Sequence, residues 1–201
     1  MAVVNMGADE QYVPMTVDDL ERLPDDGRRY ELVDGRLDVS PSPVSLHSLI
    51  EAKLCGFFNY VVAPKGYLAL QGAGINFNAD RTHHRIPDVV VIKAEEFVRP
   101  YLVRPPLLVI EVVSETSVFR DYHTKPREYA EFGIPAYWIV NPTMAEPRIV
   151  ELRLDDGEYR EVQQATGKDL FTTTFPFPVT IIPDRLLHAD GLWNLSGEED
   201  D

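Results

Sequence analysis

From Pro43 to about Ala63 the apolar residues Leu46, Leu49, Ile50, Leu54, Phe57, Phe58 and Val61 return at intervals of three and four. That is the spacing of one helix face, and it predicts the longest helix of the chain. A shorter helix is predicted over 16–23, "TVDDLERL": Thr16 can cap it, Asp18 and Asp19 suit its positive end, and Pro24 lies just beyond. "RRYELVDGRLDVS" divides into two short strands about Asp34-Gly35, a dipeptide favoured in tight hairpin turns. Strands are predicted near 67–70 and 75–77, then in "RIPDVVVI" and "PLLVIEVVS", whose β-branched runs suit strands covered on both faces. A second amphipathic helix, about 121–132, ends at Gly133 before the strand "PAYWIVNP". The final third, with "RIVELRL", "EYREVQ" and "VTII", reads as further strands between Asp-Gly and Pro turns. Strand, helix and strand in this order predict an α/β fold: a mixed β-sheet flanked by helices, with additional C-terminal strands.

The chain has 201 residues, 44% of them hydrophobic, enough for one substantial core. No internal repeat or low-complexity linker divides it. We expect a flexible segment over 1–14, a single domain over 15–192 and an acidic tail over 193–201. No stretch approaches the ~20 apolar residues of a membrane span, and the opening lacks the pattern of a secretory leader; a soluble, cytoplasmic protein is expected. The single cysteine, Cys55, lies among Leu54, Phe57 and Phe58 and reads as core filler rather than nucleophile. The formal charge is −14, and removing the four acids of the terminal "SGEEDD" still leaves −10. Overall electrostatics therefore oppose nucleic-acid binding. Bases are nevertheless concentrated in the middle third, in "RTHHR" (Arg81 to Arg85), Arg99, Arg104, Arg120, Lys125 and Arg127, so a local positive rim is expected.

Two charges interrupt the apolar pattern. Glu111 stands inside "PLLVIEVVS", where burying a carboxylate costs several kcal/mol, by order of magnitude, unless it is paired. In "DYHTKPREYAEFG", Tyr122, Lys125, Tyr129 and Phe132 share one helix face, so Lys125 points inward. Two such anomalies on consecutive elements are most simply reconciled if they meet, although lysine can also snorkel its amine to solvent. Pro126 belongs in a first helical turn, which predicts a helix starting near Thr124. Asp88 follows Pro87 at the mouth of the preceding strand. If the two strands are neighbours, Asp88 and Glu111 converge, and a divalent cation such as Mg²⁺ or Mn²⁺ would relieve their repulsion. Singly, Asp88 could be a strand-end cap and Glu111 the partner of an arginine.

Asp88 after Pro87, then Glu111 in an apolar strand, resemble the acidic part of the PD-(D/E)XK nuclease signature. The ordered set "YELVDGRL", "IPDVVVI", "IEVVSETS" and "DYHTKPREYAEFGIPAYWIVNP" resembles the Uma-two family of restriction-endonuclease-like bacterial proteins, over about residues 15 to 190. The superfamily's usual lysine position, two residues after the acid, is here Val113. The resemblance implies that the lysine has moved to the following helix, where Lys125 matches it; the next position is usually aliphatic and is here Pro126. It also implies a restriction-endonuclease-like fold and phosphodiester hydrolysis. Asp88, Glu111 and the carbonyl of Val112 would hold Mg²⁺ (or Mn²⁺), and Lys125 would orient water or stabilise developing charge. Glu31 matches an acidic position near the family's site, its alternative being a pair with Arg28 or Arg36. His47 matches a recurrent position, its alternative being a helix-terminal histidine.

Tyr129 could hydrogen-bond a site carboxylate or simply fill the core. His83 and His84 read as exposed, and with Arg81 and Arg85 they are candidates for phosphate contacts. The expected function is a Mg²⁺-dependent endonuclease acting on DNA; the alternative is a catalytically inactive interaction module on a nuclease scaffold. The apolar C-terminal third, including Trp193, suggests a homodimer.

Overall fold

In the computed structural model the described residues are 13–62, 65–142, 146–189 and 195–196. Residues 1–12, Trp193 and residues 197–201 lie outside them, and with these most of the expected N-terminal segment and acidic tail. The first hairpin forms as its turn dipeptide dictates. β1 (Arg29–Val33) and β2 (Arg36–Ser40) pair from Arg29 with Ser40 to Val33 with Arg36. Asp34 and Gly35 carry φ of 50° and 75°, the positive values a two-residue hairpin of this kind requires. Before it, α1 (Val17–Leu20) is shorter than the sequence suggests; its Thr16 N–H donates to Asp19 Oδ2 at 2.8 Å.

α2 (Ser45–Val62) presents Ile50, Leu54, Phe57, Phe58 and Val62 to one face of a six-stranded sheet. The sheet contains β3 (Tyr67–Gln71), β6 (Val89–Lys93), β7 (Leu108–Val112), β8 (Ala136–Asn141), β9 (Arg148–Asp155) and β10 (Glu158–Thr166), in the order β10-β9-β8-β7-β6-β3. Only β7 and β8 are parallel, and α3 (Lys125–Phe132) lies in the crossover between them. β7 is buried on both sides, as its apolar run predicts: Leu108, Ile110 and Val112 pack with the α2 cluster, Val109 and Val113 with Tyr129. Two short strands, β4 (Ile75–Asn76) and β5 (His84–Arg85), join the hairpin in a second sheet of order β2-β1-β5-β4, which leads through Pro87 into β6.

The last strands, β11 (Phe171–Thr173) and β12 (Val179–Ile181), pair with each other. Phe171, Phe177, Val179 and Ile181 are buried in the cluster containing Phe58 and Trp138. The apolar C-terminal residues that suggested a dimer face are therefore, where described, largely taken into the core. Cys55 is half-buried against the same cluster, as expected of a filler. β3 is an edge strand, and Asn59 of α2 closes it: its amide donates to Ala69 O at 3.0 Å and accepts from Ala69 N at 2.9 Å. Among the described residues no helix is long and apolar enough to cross a membrane.

The helix after β7 starts earlier than Pro126 suggested. Residues 120–124 form a wide π-type turn, in which the Lys125 N–H reaches back to Arg120 O, and α3 continues from it to Gly133 (φ 88°). A proline inside a regular helix leaves a carbonyl without its donor and crowds it with the ring. The wider turn preceding Pro126 accommodates this, and the helical run extends back to Arg120.

Gly35 is the position where the hairpin has least tolerance: besides its positive φ, an added Cβ would lie 2.2 Å from Pro14 Cβ. Gly35→Ala is expected to lower stability by about 1–3 kcal/mol, read as a reduced urea midpoint at an unchanged slope.

Candidate active site

β6 and β7 are antiparallel neighbours with Val89 opposite Ile110, and one further step along that register brings Asp88 level with Glu111. The same face of β6 and β7 carries Val90, Ile92 and Val109, which pack with Tyr129 of α3. Asp88 and Glu111 therefore belong to one face and one end of the sheet. They line a cleft of about 110 Å³ together with His47, Lys125, Arg29 and Arg120.

One half of the cleft is built around Lys125. Its side chain is buried, with Nζ 2.9 Å from Glu111 Oε2 and 3.2 Å from Asp121 Oδ1. Tyr129 OH donates to Glu111 Oε1 at 2.5 Å, so the tyrosine both fills the core and holds the carboxylate. Burial pushes Glu111 above the usual carboxylate range; Lys125 opposes this, while Asp88, Asp121 and Glu31 reinforce it. Burial disfavours the charged form of Lys125, but Glu111, Glu31, Asp121 and Asp88 together raise its pKa, and it remains a cation.

The other half is built around Asp88. Its Oδ2 accepts the Val112 N–H at 2.7 Å, and its Oδ1 lies 2.5 Å from Arg29 Nη1 and 3.2 Å from His47 Nε2. His47 Nε2 is also 3.2 Å from Glu51 Oε1, one helical turn along α2, and Arg29 Nη2 reaches that oxygen at 3.2 Å. Burial tends to raise the Asp88 pKa, but His47, Arg29 and Lys125 outweigh it and hold this carboxyl well below its usual range. Burial likewise works against charged His47, and Asp88 and Glu51 overcome it, raising its pKa to about 9.

His47, Glu51 and Asp88 form a group that could hold a metal ion. The buried His47 Nε2 lies near two carboxylate oxygens without a well-aligned hydrogen bond to either. Ligands at right angles, each ~2.1 Å from a common ion, stand roughly 3 Å apart, close to these spacings. The donor set thus fits a small divalent cation, and its imidazole makes Mn²⁺ a better match than Mg²⁺. This differs from the set Asp88, Glu111 and Val112 expected from the sequence. Glu111 faces Lys125 and Tyr129 instead, and Val112 takes part through its N–H.

Glu31 is buried beside the cleft, with Oε1 accepting the Ile86 N–H at 2.7 Å and Oε2 pairing with Arg85 at 3.0 Å, not with Arg28 or Arg36. Arg85 also binds Asp38 and Glu128 at 2.9 and 2.7 Å, which ties β2, β5 and α3 together. The expectation that His83 and His84 are exposed is corrected. His84 is buried, hydrogen-bonds Asn76 Oδ1 at 2.6 Å and is held neutral by desolvation, with its pKa lowered to about 4. His83 lies between Asp34 and Glu128. Arg81 pairs with Asp18 at 2.7 Å. The four side chains proposed as a phosphate-binding rim are thus engaged by protein partners.

Three participants were not singled out in the sequence. Glu51 was masked by the apolar residues around it, although its spacing of four from His47 was a usable signal. Asp121 stands four before Lys125 in the same way. Arg29 had no local signal, because its partners are distant in sequence.

A mixed sheet with helices on both faces and acids at the end of two central strands defines a nuclease-like fold. The Uma2 family model, described as "Putative restriction endonuclease", matches residues 17–183, and the chain belongs to this family. Among solved structures, the crystal structure of "a putative nuclease belonging to DUF820 from Anabaena variabilis" superposes with a TM-score of 0.67 at 18% identity, over 87% of this chain and 98% of that one. Among curated proteins, none matches.

Lys125→Met leaves two buried acids without their cation and is expected to cost about 3–5 kcal/mol. Adding Glu111→Gln should recover part of that loss, and urea unfolding of both variants measures it. For His47 the folded pKa lies above the unfolded value, so its contribution is full below about pH 6.5 and is lost as pH rises through about 9. In metal-free protein its NMR titration midpoint should fall near 9, and the stability gap between wild type and His47→Gln should close over that window.

Proposed function

We propose that this protein is an endonuclease that hydrolyses phosphodiester bonds in DNA with a divalent cation, Mn²⁺ or Mg²⁺. The observation that carries the reading is the convergence in one cleft of the His47, Glu51 and Asp88 group with the buried Lys125–Glu111 pair. A cation held by His47, Glu51 and Asp88 would supply Lewis acidity toward a phosphoryl oxygen and lower the pKa of water.

The chain's own residues supply the rest. Lys125 stays protonated, so it cannot accept the water's proton; it offers donors to the negative charge that develops on phosphorus oxygens. Glu111, fixed by Tyr129, is the acceptor adjacent to that ammonium. Arg29 balances Asp88 and Glu51 while no cation is bound, and it must give way, becoming available to the phosphate. The same arginine favours the alternative of an inactive interaction module, because it already neutralises the site.

Cleavage of supercoiled plasmid and of single-stranded DNA, with titration calorimetry, decides between them. The wild type should bind Mn²⁺ and nick DNA, Asp88→Asn should abolish both, and Glu51→Gln should weaken Mn²⁺ binding by at least about tenfold. Binding displaces the His47 proton, so apparent affinity should rise with pH up to about 9. A wild type that neither takes up Mn²⁺ nor nicks DNA would establish the inactive module.

A further inference from the structure

The walls of the cleft indicate the form of nucleic acid it admits. The acids and Lys125 lie at the floor of this cleft of about 110 Å³, with Glu111 1% and Lys125 6% exposed. One lip is the hairpin-to-helix connection, where Pro41, Ser42 and Pro43 lead to Val44, 70% exposed. The other is the turn into the π-type segment: Ser114, Thr116 and Ser117 face the cleft, followed by Val118 and by Phe119, which is 71% exposed. Arg120, next to Phe119, lines the cleft and reaches Asp38 at 2.8 Å and Ser40 at 3.1 Å. Phe119 itself borders a second groove of about 240 Å³ with His123, Thr124, Arg127, Glu128 and Glu131, and its ring centroid lies 5.0 Å from that of His123.

Phe119 thus keeps a large aromatic ring mostly in solvent beside Ser117 and Arg120, which line the polar cleft. The cations around the cleft, meanwhile, are matched by internal acids: Arg29 by Asp88 and Glu51, Arg85 by Glu31, Asp38 and Glu128, Arg120 by Asp38. A net charge of −14 opposes the dense phosphate array of a duplex more than the sparser charge of a single strand. A single strand presents fewer charges, bends more readily into a small cleft and offers unpaired base faces, which aromatic rings bind whatever the sequence.

We infer that the cleft takes single-stranded nucleic acid, threaded between Val44 and Phe119, with a base stacked on Phe119 in the groove beside His123 and Arg127. The inference rests on the nuclease reading and narrows its substrate.

The test is fluorescence anisotropy with Ca²⁺ as the cation, strand integrity being checked on a gel. The probe is a labelled oligothymidylate of about 12 nucleotides, within the span such grooves take. It is compared with its duplex and with an abasic strand of equal length. The single strand should bind at least about tenfold tighter than either. Phe119→Ala should remove most of that preference, a loss of roughly 5- to 100-fold by the usual scale of base–aromatic stacking, and Phe119→Trp should retain it. Equal binding of single strand and duplex, or a Phe119→Ala protein with unaltered preference, overturns the inference. Hydrolysis of bis(4-nitrophenyl) phosphate by wild type with Mn²⁺ separates the two failures: turnover without strand preference refutes only the stacking site, and absence of both turnover and oligonucleotide binding refutes the nuclease reading with it.

Discussion

A buried ammonium and a buried carboxylate tolerate the protein interior only in each other's company, and the Lys125–Glu111 pair imposes that condition on the whole molecule. Glu111 is fixed by its strand at the centre of the sheet, so α3 must place Lys125 over that strand's end. Asp121 and Tyr129 complete the coordination of the pair, one helical turn to either side of the lysine. The register of helix on sheet is thus set by charge as well as by apolar packing. The same contact holds the Lys125 ammonium at the floor of the cleft that Asp88 also lines.

A second layer supports the first. Arg85, fully buried, links Glu31 on the hairpin, Asp38 on its return strand and Glu128 on α3, so the small sheet and the crossover helix share one guanidinium. Each acid accepts from a planar donor set whose orientation is fixed, which suits arginine and not lysine. The hairpin is held against the cleft by this network, and its end supplies Arg29 to Asp88.

Much of the architecture was legible in the sequence, for identifiable reasons. Asp34-Gly35 encodes its turn locally, β7 shows its double burial by lacking polar alternation, and the Tyr122, Lys125, Tyr129 and Phe132 stripe reveals which way the lysine points. What escaped was set by distance in the chain. Arg29 meets Asp88 across 59 positions, and no local pattern records that pairing. His83 and His84 looked like solvent-facing residues of a basic loop, but β5 carries His84 and Arg85 into a sheet interior where Asn76 and Glu31 receive them. Glu51 stands between the buried Ile50 and Leu54 of α2, where the apolar periodicity marks a core face and masks the His47 and Glu51 spacing of four.

Asn59 has a consequence for how the molecule coexists with its own copies. Ala69 on the outermost strand turns a peptide N–H and C=O away from the sheet, the invitation by which one β-sheet recruits another. The primary amide of Asn59 answers both groups, in the way a neighbouring backbone would. The helix thereby acts as a stopper on the row, and runaway templating of chain upon chain is blunted at this border by a single carboxamide.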